Sequence, residues 1–170
     1  MKYYNIQTTF QEFPYETTVA INITNCPNHC PGCHSQHLWE DIGEELTPKV
    51  IDKIWKDYKG CFSCIGIMGG DASWDDVYDI AMYIKEKYPM IKIGWYSGKN
   101  YTLPKMWKVF DYIKIGPYVE KCGDLTQPTT NQQLFKKMKN GQWVEITPFY
   151  YLSRTSKAFE YFKKLVKEES

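Results

Sequence analysis

Three cysteines stand at C-x3-C-x2-C spacing in Asn25-Cys26-Pro27-Asn28-His29-Cys30-Pro31-Gly32-Cys33-His34, directly after an apolar, β-branched run. Three thiolates this close can hold three corners of an iron–sulfur cluster, whose full ligation takes four cysteines. Without a fourth, one iron stays open to bind and reduce a small molecule, and an open metal position marks a catalytic site rather than a structural one. Pro27, Pro31 and Gly32 interrupt regular structure, which lets the backbone wrap a bulky inorganic core. Short Cys and His clusters also hold structural zinc, so the spacing alone leaves both readings open.

The chain has 6 cysteines in all, and the other three test those readings. Cys61-Phe62-Ser63-Cys64 is a second close pair, but the whole stretch from His34 to Gly60 separates it from Cys33. That gap exceeds the roughly 15–20 residues of a zinc ribbon. The second pair therefore reads as two buried small apolar residues opening a strand. Cys122, between Lys121 and Gly123, reads as an incidental thiol in a loop. A disulfide framework needs an exported chain. The opening Met-Lys-Tyr-Tyr-Asn-Ile carries no basic-then-apolar leader, so a cytoplasmic setting is expected, with the thiols serving metal or catalysis.

At 170 residues with 43% apolar and 16% aromatic content, one globular domain spanning 1–170 is expected, large enough to bury its own core. A formal net charge of +1 gives no global electrostatic case for nucleic acid or a membrane surface. No apolar run approaches the roughly 18–20 residues that span a bilayer. Lys157, Lys163, Lys164 and Lys167 are interspersed with Glu160, Glu168 and Glu169, which reads as a solvated helix face.

The elements that must position the cysteines follow from periodicity. Thr18 to Ile23 is a β-branched run fit for a buried strand. Leu46 to Gly60 reads as a helix, with Thr47 able to cap, Pro48 at the first helical position and Gly60 as a left-handed stop. Val50, Ile51, Ile54, Trp55 and Tyr58 share one face of it. Cys64 to Met68 predicts a second strand, and Ser73 starts a helix with Val77, Ile80, Ala81 and Ile84 inward and Asp75 and Asp76 in its first turn. Further strands are predicted at Ile91 to Tyr96, Tyr112 to Ile115 and Gln142 to Ile146. Helices are predicted at Lys105 to Val109 and Ser156 to Val166. Gly123 to Asn140 reads as a polar crossing loop leading into a short helix.

Strand and helix alternate as βαβ units do, which predicts an α/β fold with a parallel sheet. All strand C-termini then open on one edge, where ligands bind in such folds. That edge collects the cysteine loop, Gly69-Gly70-Asp71, Tyr96-Ser97-Gly98 and Ile115-Gly116-Pro117. Gly69 and Gly70 let a ligand approach the backbone closely, and Asp71 can accept a hydrogen bond from a cationic amine.

These segments, with Gly116-Pro117-Tyr118 followed by Thr129-Thr130-Asn131-Gln132, resemble the radical S-adenosylmethionine superfamily. Within it, their order over roughly residues 18 to 135 is similar to the activating proteins of anaerobic (class III) ribonucleotide reductase. The resemblance implies a shortened, partial parallel βα barrel of about five to six strands. It implies a 4Fe-4S cluster on Cys26, Cys30 and Cys33, whose open iron takes the amino and carboxylate groups of S-adenosylmethionine. Gly69, Gly70 and Asp71 would orient the methionine amine, with Tyr96 and Ser97 near the nucleoside. Reductive cleavage would give a 5′-deoxyadenosyl radical that takes hydrogen from a glycine of the reductase large subunit. An electron donor such as flavodoxin or ferredoxin would be needed, and no nucleic acid or membrane.

The chain departs from the superfamily's pattern in three places. Gly32 replaces the aromatic often found before the third cysteine, as is common in the activating-protein branch. Asp71 replaces the more frequent Glu, and Ile115 stands where many relatives have Asp, so any role of that carboxylate is not carried here. His29, His34, Trp39 and Trp74 flank the site without an assigned role, and Arg154, near the C-terminus, is assigned to neither cofactor nor partner. Two other readings stand beside this one. An activase of another glycyl-radical enzyme would share cluster and cofactor. A zinc-binding interaction module would use Cys26, Cys30, Cys33 and one His or distant Cys. An electron carrier would normally need a fourth cysteine.

Overall fold

The computed structural model describes residues 1–168. In chain order it runs β1 (Lys2–Thr9), β2 (Thr18–Ile23), a 3-10 turn (Gln36–Leu38), β3 (Glu44–Glu45), α1 (Pro48–Tyr58), β4 (Cys64–Met68) and α2 (Trp74–Lys87). It continues through β5 (Lys92–Tyr96), α3 (Pro104–Val109), β6 (Tyr112–Ile115), β7 (Gln133–Lys137), β8 (Trp143–Glu145), α4 (Pro148–Tyr151) and α5 (Lys157–Glu168). The strands form one open sheet in the order β3-β1-β2-β4-β5-β6-β7-β8.

The expected βαβ pattern occupies the centre: β2, β4, β5 and β6 are parallel neighbours. The expectation of five to six parallel strands in a partial barrel is corrected by what flanks them. The sheet has 8 strands and is not closed. β3 and β1 extend one side and β7 and β8 the other, all through antiparallel pairing, so antiparallel pairings outnumber parallel ones. The segment read as a loop leading to a helix contains β7 instead. Its Leu134 and Lys136 are buried on one face while Phe135 packs on the other, a strand period hidden by two lysines. Lys136 is tolerated inside because its Nζ donates to the Val166 carbonyl at 2.6 Å. β1 was not legible because most of its residues are polar or Tyr and only partly covered.

The helices lie against one face. Ile51 and Ile54 of α1, Val77, Ile80, Ala81 and Ile84 of α2, and Met106 and Val109 of α3 join Val19, Ile21, Ile65, Ile67, Ile93 and Ile113 in the main core. Thr47 makes no side-chain capping bond, so Pro48 alone shapes the start of α1. The opposite face is filled from the β1–β2 connection. Phe13, fully buried, stacks on Tyr112 at 4.9 Å and meets Tyr96 edge-on at 5.4 Å. Gly66 and Gly94 are register partners in the centre of the sheet, and a Cβ on Gly94 would collide with the Phe13 ring.

At the edge where the parallel strands begin, Glu16 gathers three of them. Its carboxylate accepts from Ser63 Oγ (2.6 Å), Lys92 Nζ (2.6 Å) and Tyr112 OH (2.9 Å). A buried charge held this way is compensated by both an ion pair and hydrogen bonds. No helix among the described residues is long and apolar enough to cross a membrane.

Candidate metal centre

The cysteine loop leaves the buried end of β2 through Thr24, whose hydroxyl donates to the Ile42 carbonyl at 2.7 Å. Asn25 and His29 adopt left-handed backbone angles, φ 59° and 42°, which reverse the chain without a strand or helix. The loop is laced to its own return limb by Asn25 N–H to Glu40 O (2.9 Å) and Cys26 N–H to Leu38 O (3.0 Å). A tight turn from Cys33 N–H to Cys30 O (3.1 Å) brings the last two cysteines onto one bend. Cys26, Cys30 and Cys33 are half-buried free thiols. Two sulfurs already face donors: Ser35 N–H points at Cys33 Sγ (3.4 Å), and the Asn28 amide at Cys26 Sγ (3.8 Å). Burial pushes the Cys26 thiol up, opposed by the backbone amide of Asn28. His29 lies flat on Trp39 with ring centroids 4.8 Å apart, and His34 meets Tyr118 edge-on.

Asp71 stands opposite this loop and is saturated. Its Oδ2 accepts from Asn28 Nδ2 (2.5 Å) and Gly98 N–H (2.7 Å), and its Oδ1 from Ser97 Oγ (2.6 Å) and Trp74 Nε1 (3.2 Å). A carboxylate offers about four acceptor sites, so this one has none to spare. It ties together the cysteine loop, the end of β5 and the first turn of α2. Gly69, with φ 113°, turns the chain off β4 while its carbonyl accepts from Trp95 Nε1 at 2.8 Å.

The cysteine loop, Gly69, Asp71, Tyr96, Ser97 and Gly98 line one cleft of about 520 Å³ at the C-terminal edge of the parallel strands. Gly70 does not line it; that residue turns toward Val77 on the helix side. The Tyr96 hydroxyl is engaged by the Glu12 carbonyl at 2.8 Å, so its ring forms wall. Lys114 was missed at the sequence level, though a lysine inside Tyr-Ile-Lys-Ile is the signal that finds it. Its amine faces the cleft from β6, and burial pulls it down to about 8 against the opposing pull of Asp71, Cys30, Glu12 and Cys33. Asn28 and Gln132, which belong to motifs without a role of their own there, and Glu12, which lies outside every motif, also line the cleft.

The remaining cysteines stand apart. Cys64 is buried at the start of β4, its thiol pushed well up by burial, whereas Cys61 is exposed, so only one of that pair is the small apolar residue expected. Ile115 packs into the main core.

Among the described residues no three His, Cys, Asp or Glu side chains are drawn together as they would be to grip a single metal ion. The donor set of three half-buried thiols in one loop, with N–H groups aimed at two sulfurs and an open cleft beside them, fits a 4Fe-4S cluster. The family model of the 4Fe-4S single cluster domain matches residues 17–142. No curated protein and no solved structure matches the chain.

Proposed function

The chain belongs to the 4Fe-4S single cluster domain family, and from that premise we propose that it is a radical S-adenosylmethionine enzyme activating an anaerobic ribonucleotide reductase. One observation carries the reading: the three-cysteine loop, Gly69 and Asp71, Tyr96–Ser97 and a half-buried lysine share one cleft. A cluster with one unligated iron needs beside it a place for an amino acid end, and this cleft offers a cation and a bare backbone turn there.

Cys26, Cys30 and Cys33 would hold three irons of the cluster. When bound and reduced by flavodoxin or ferredoxin, it supplies the electron that splits S-adenosylmethionine into methionine and a 5′-deoxyadenosyl radical, which takes a hydrogen atom from a partner glycine. The remaining roles fall to this chain's side chains. Lys114 presents an ammonium to the cofactor's carboxylate. Gly69 keeps its turn clear of side chains so that the amine can approach the backbone. Asp71 acts on that site by holding Asn28, Ser97 and Gly98 in place, since its own oxygens are occupied. The Tyr96 ring and Ser97 edge the space left for the nucleoside. Gly116-Pro117-Tyr118 and Thr129 to Gln132 support the reductase as partner, through the resemblance they carry.

Anaerobic purification with iron and zinc analysis tests the reading. The expected protein is brown, holds about four irons per chain, bleaches with dithionite, and releases 5′-deoxyadenosine once S-adenosylmethionine is added. A colourless protein with stoichiometric zinc and no deoxyadenosine would overturn it in favour of a zinc module.

A further inference from the structure

Cys26 is hydrogen-bonded differently from the other two cysteines of its loop. The Asn28 side-chain amide reaches its Sγ at 3.8 Å, and the backbone N–H groups of Asn28 and His29 act on the same sulfur. Cys33 Sγ faces a backbone donor, Ser35 N–H at 3.4 Å. Among the described residues, Cys26 is the one of the three with a side-chain donor aimed at its sulfur.

That side chain is not free to turn away. A primary amide carries two N–H donors on its nitrogen. Asp71 Oδ2 takes the Asn28 nitrogen at 2.5 Å, and Cys26 Sγ is a second acceptor for the same nitrogen, so the network fixes which end of the amide faces the sulfur. Asp71 is in turn held by Ser97 Oγ and Gly98 N–H. Packing closes another side: a Cβ on Gly98 would stand 2.4 Å from Asn28 Nδ2. Gly98 is bare where the amide needs room.

A donor fixed on a cluster ligand does more than hold a loop. One-electron reduction adds negative charge to a cluster and its thiolates, and N–H groups on the sulfurs stabilise that charge, which raises the reduction potential. We propose that Asn28 sets the potential of the cluster: its amide, oriented by Asp71 and given room by Gly98, donates to the Cys26 thiolate and makes the cluster easier to reduce. The external reductant supplies the electron, and Asn28 changes how readily the cluster accepts it. This role rests on the cluster ligands proposed above and needs no cleavage of S-adenosylmethionine.

The test uses the reconstituted holoprotein without S-adenosylmethionine, titrated with dithionite at poised potentials and read by electron paramagnetic resonance, with iron counted in each sample. Asn28→Ala removes the donor. Gly98→Ala keeps Asn28 but pushes its amide aside, so it carries the test should Asn28→Ala fail to hold a cluster. In both, the midpoint is expected to move to more negative potential. At the native midpoint, the ratio of reduced to oxidised cluster should fall about two- to tenfold, the worth of one hydrogen bond. Ser97→Ala removes a donor from the other oxygen of Asp71 and leaves the Asn28 bond, so it should keep the native midpoint. The native midpoint in both amide variants, or loss of the cluster from both, overturns the role and reduces Asn28 to a loop anchor. An equal shift in Ser97→Ala overturns it as well, by tracing the effect to any loosening of the network. A brown native protein that makes no deoxyadenosine overturns the activase reading alone, whereas a native protein without iron overturns both.

Discussion

Asn28 of the cysteine loop and Asp71 beyond β4, 43 positions apart, are joined by a 2.5 Å hydrogen bond from the Asn28 amide to Asp71 Oδ2. The same amide points at Cys26 Sγ. The position of Cys26 is thereby coupled to the end of β5 through Ser97 and Gly98, which donate to the same carboxylate.

Asp71→Asn replaces one acceptor oxygen with a donor and leaves buried N–H groups short of a partner, at about 1–3 kcal/mol. The expected outcome is a folded protein that retains less iron after anaerobic gel filtration and is cut faster by protease within residues 25–42. Iron retention equal to that of the native protein would show that the loop is held by its own backbone bonds alone.

Lys114→Met removes the half-buried cation of the cleft. Affinity for S-adenosylmethionine is expected to fall by about 10–100-fold, the worth of a charged hydrogen bond. In the native protein the ammonium is protonated below about 8 and neutral above it, so affinity should decline as pH rises through that value. The folded pKa is depressed, so the unfolded chain binds more protons from about 8 up to lysine's ordinary range, and cluster-free protein gains stability with pH across that window. Equilibrium binding and chemical denaturation across that pH range measure both effects, and both should vanish in Lys114→Met.

Glu16→Ala strips Lys92, Tyr112 and Ser63 of a shared acceptor at the opposite edge from the cleft. Lys92 is partly exposed, so the loss should fall near the low end for a broken buried pair, about 3 kcal/mol by urea denaturation. Iron content is the contrasting readout and should be unaffected in protein that remains folded.

Gly94→Ala drives a methyl group into the Phe13 ring. Overpacking of this kind costs about 1–3 kcal/mol. Combining it with Phe13→Leu should recover part of that loss, because the two residues compete for one space. Additive destabilisation in the double variant would mean that the ring simply moves aside.

Local chemistry in the sequence was enough for the cysteine loop and for the elements that carry it. β2, β4 and β6 begin and end where their apolar runs do, and α1 starts at Pro48, because burial on the inner strands and the fixed φ of proline act over a few residues. β1 and β7 were not legible, since their polar residues become strand only by pairing with β2 and β6. The roles of Asp71 and Lys114 belonged to the tertiary structure for the same reason. Whether a carboxylate is free or saturated, a lysine buried or exposed, an amide paired or not depends on groups tens of residues distant. Spacing along the chain sets which donors share a loop; only folding sets which of them share a cleft.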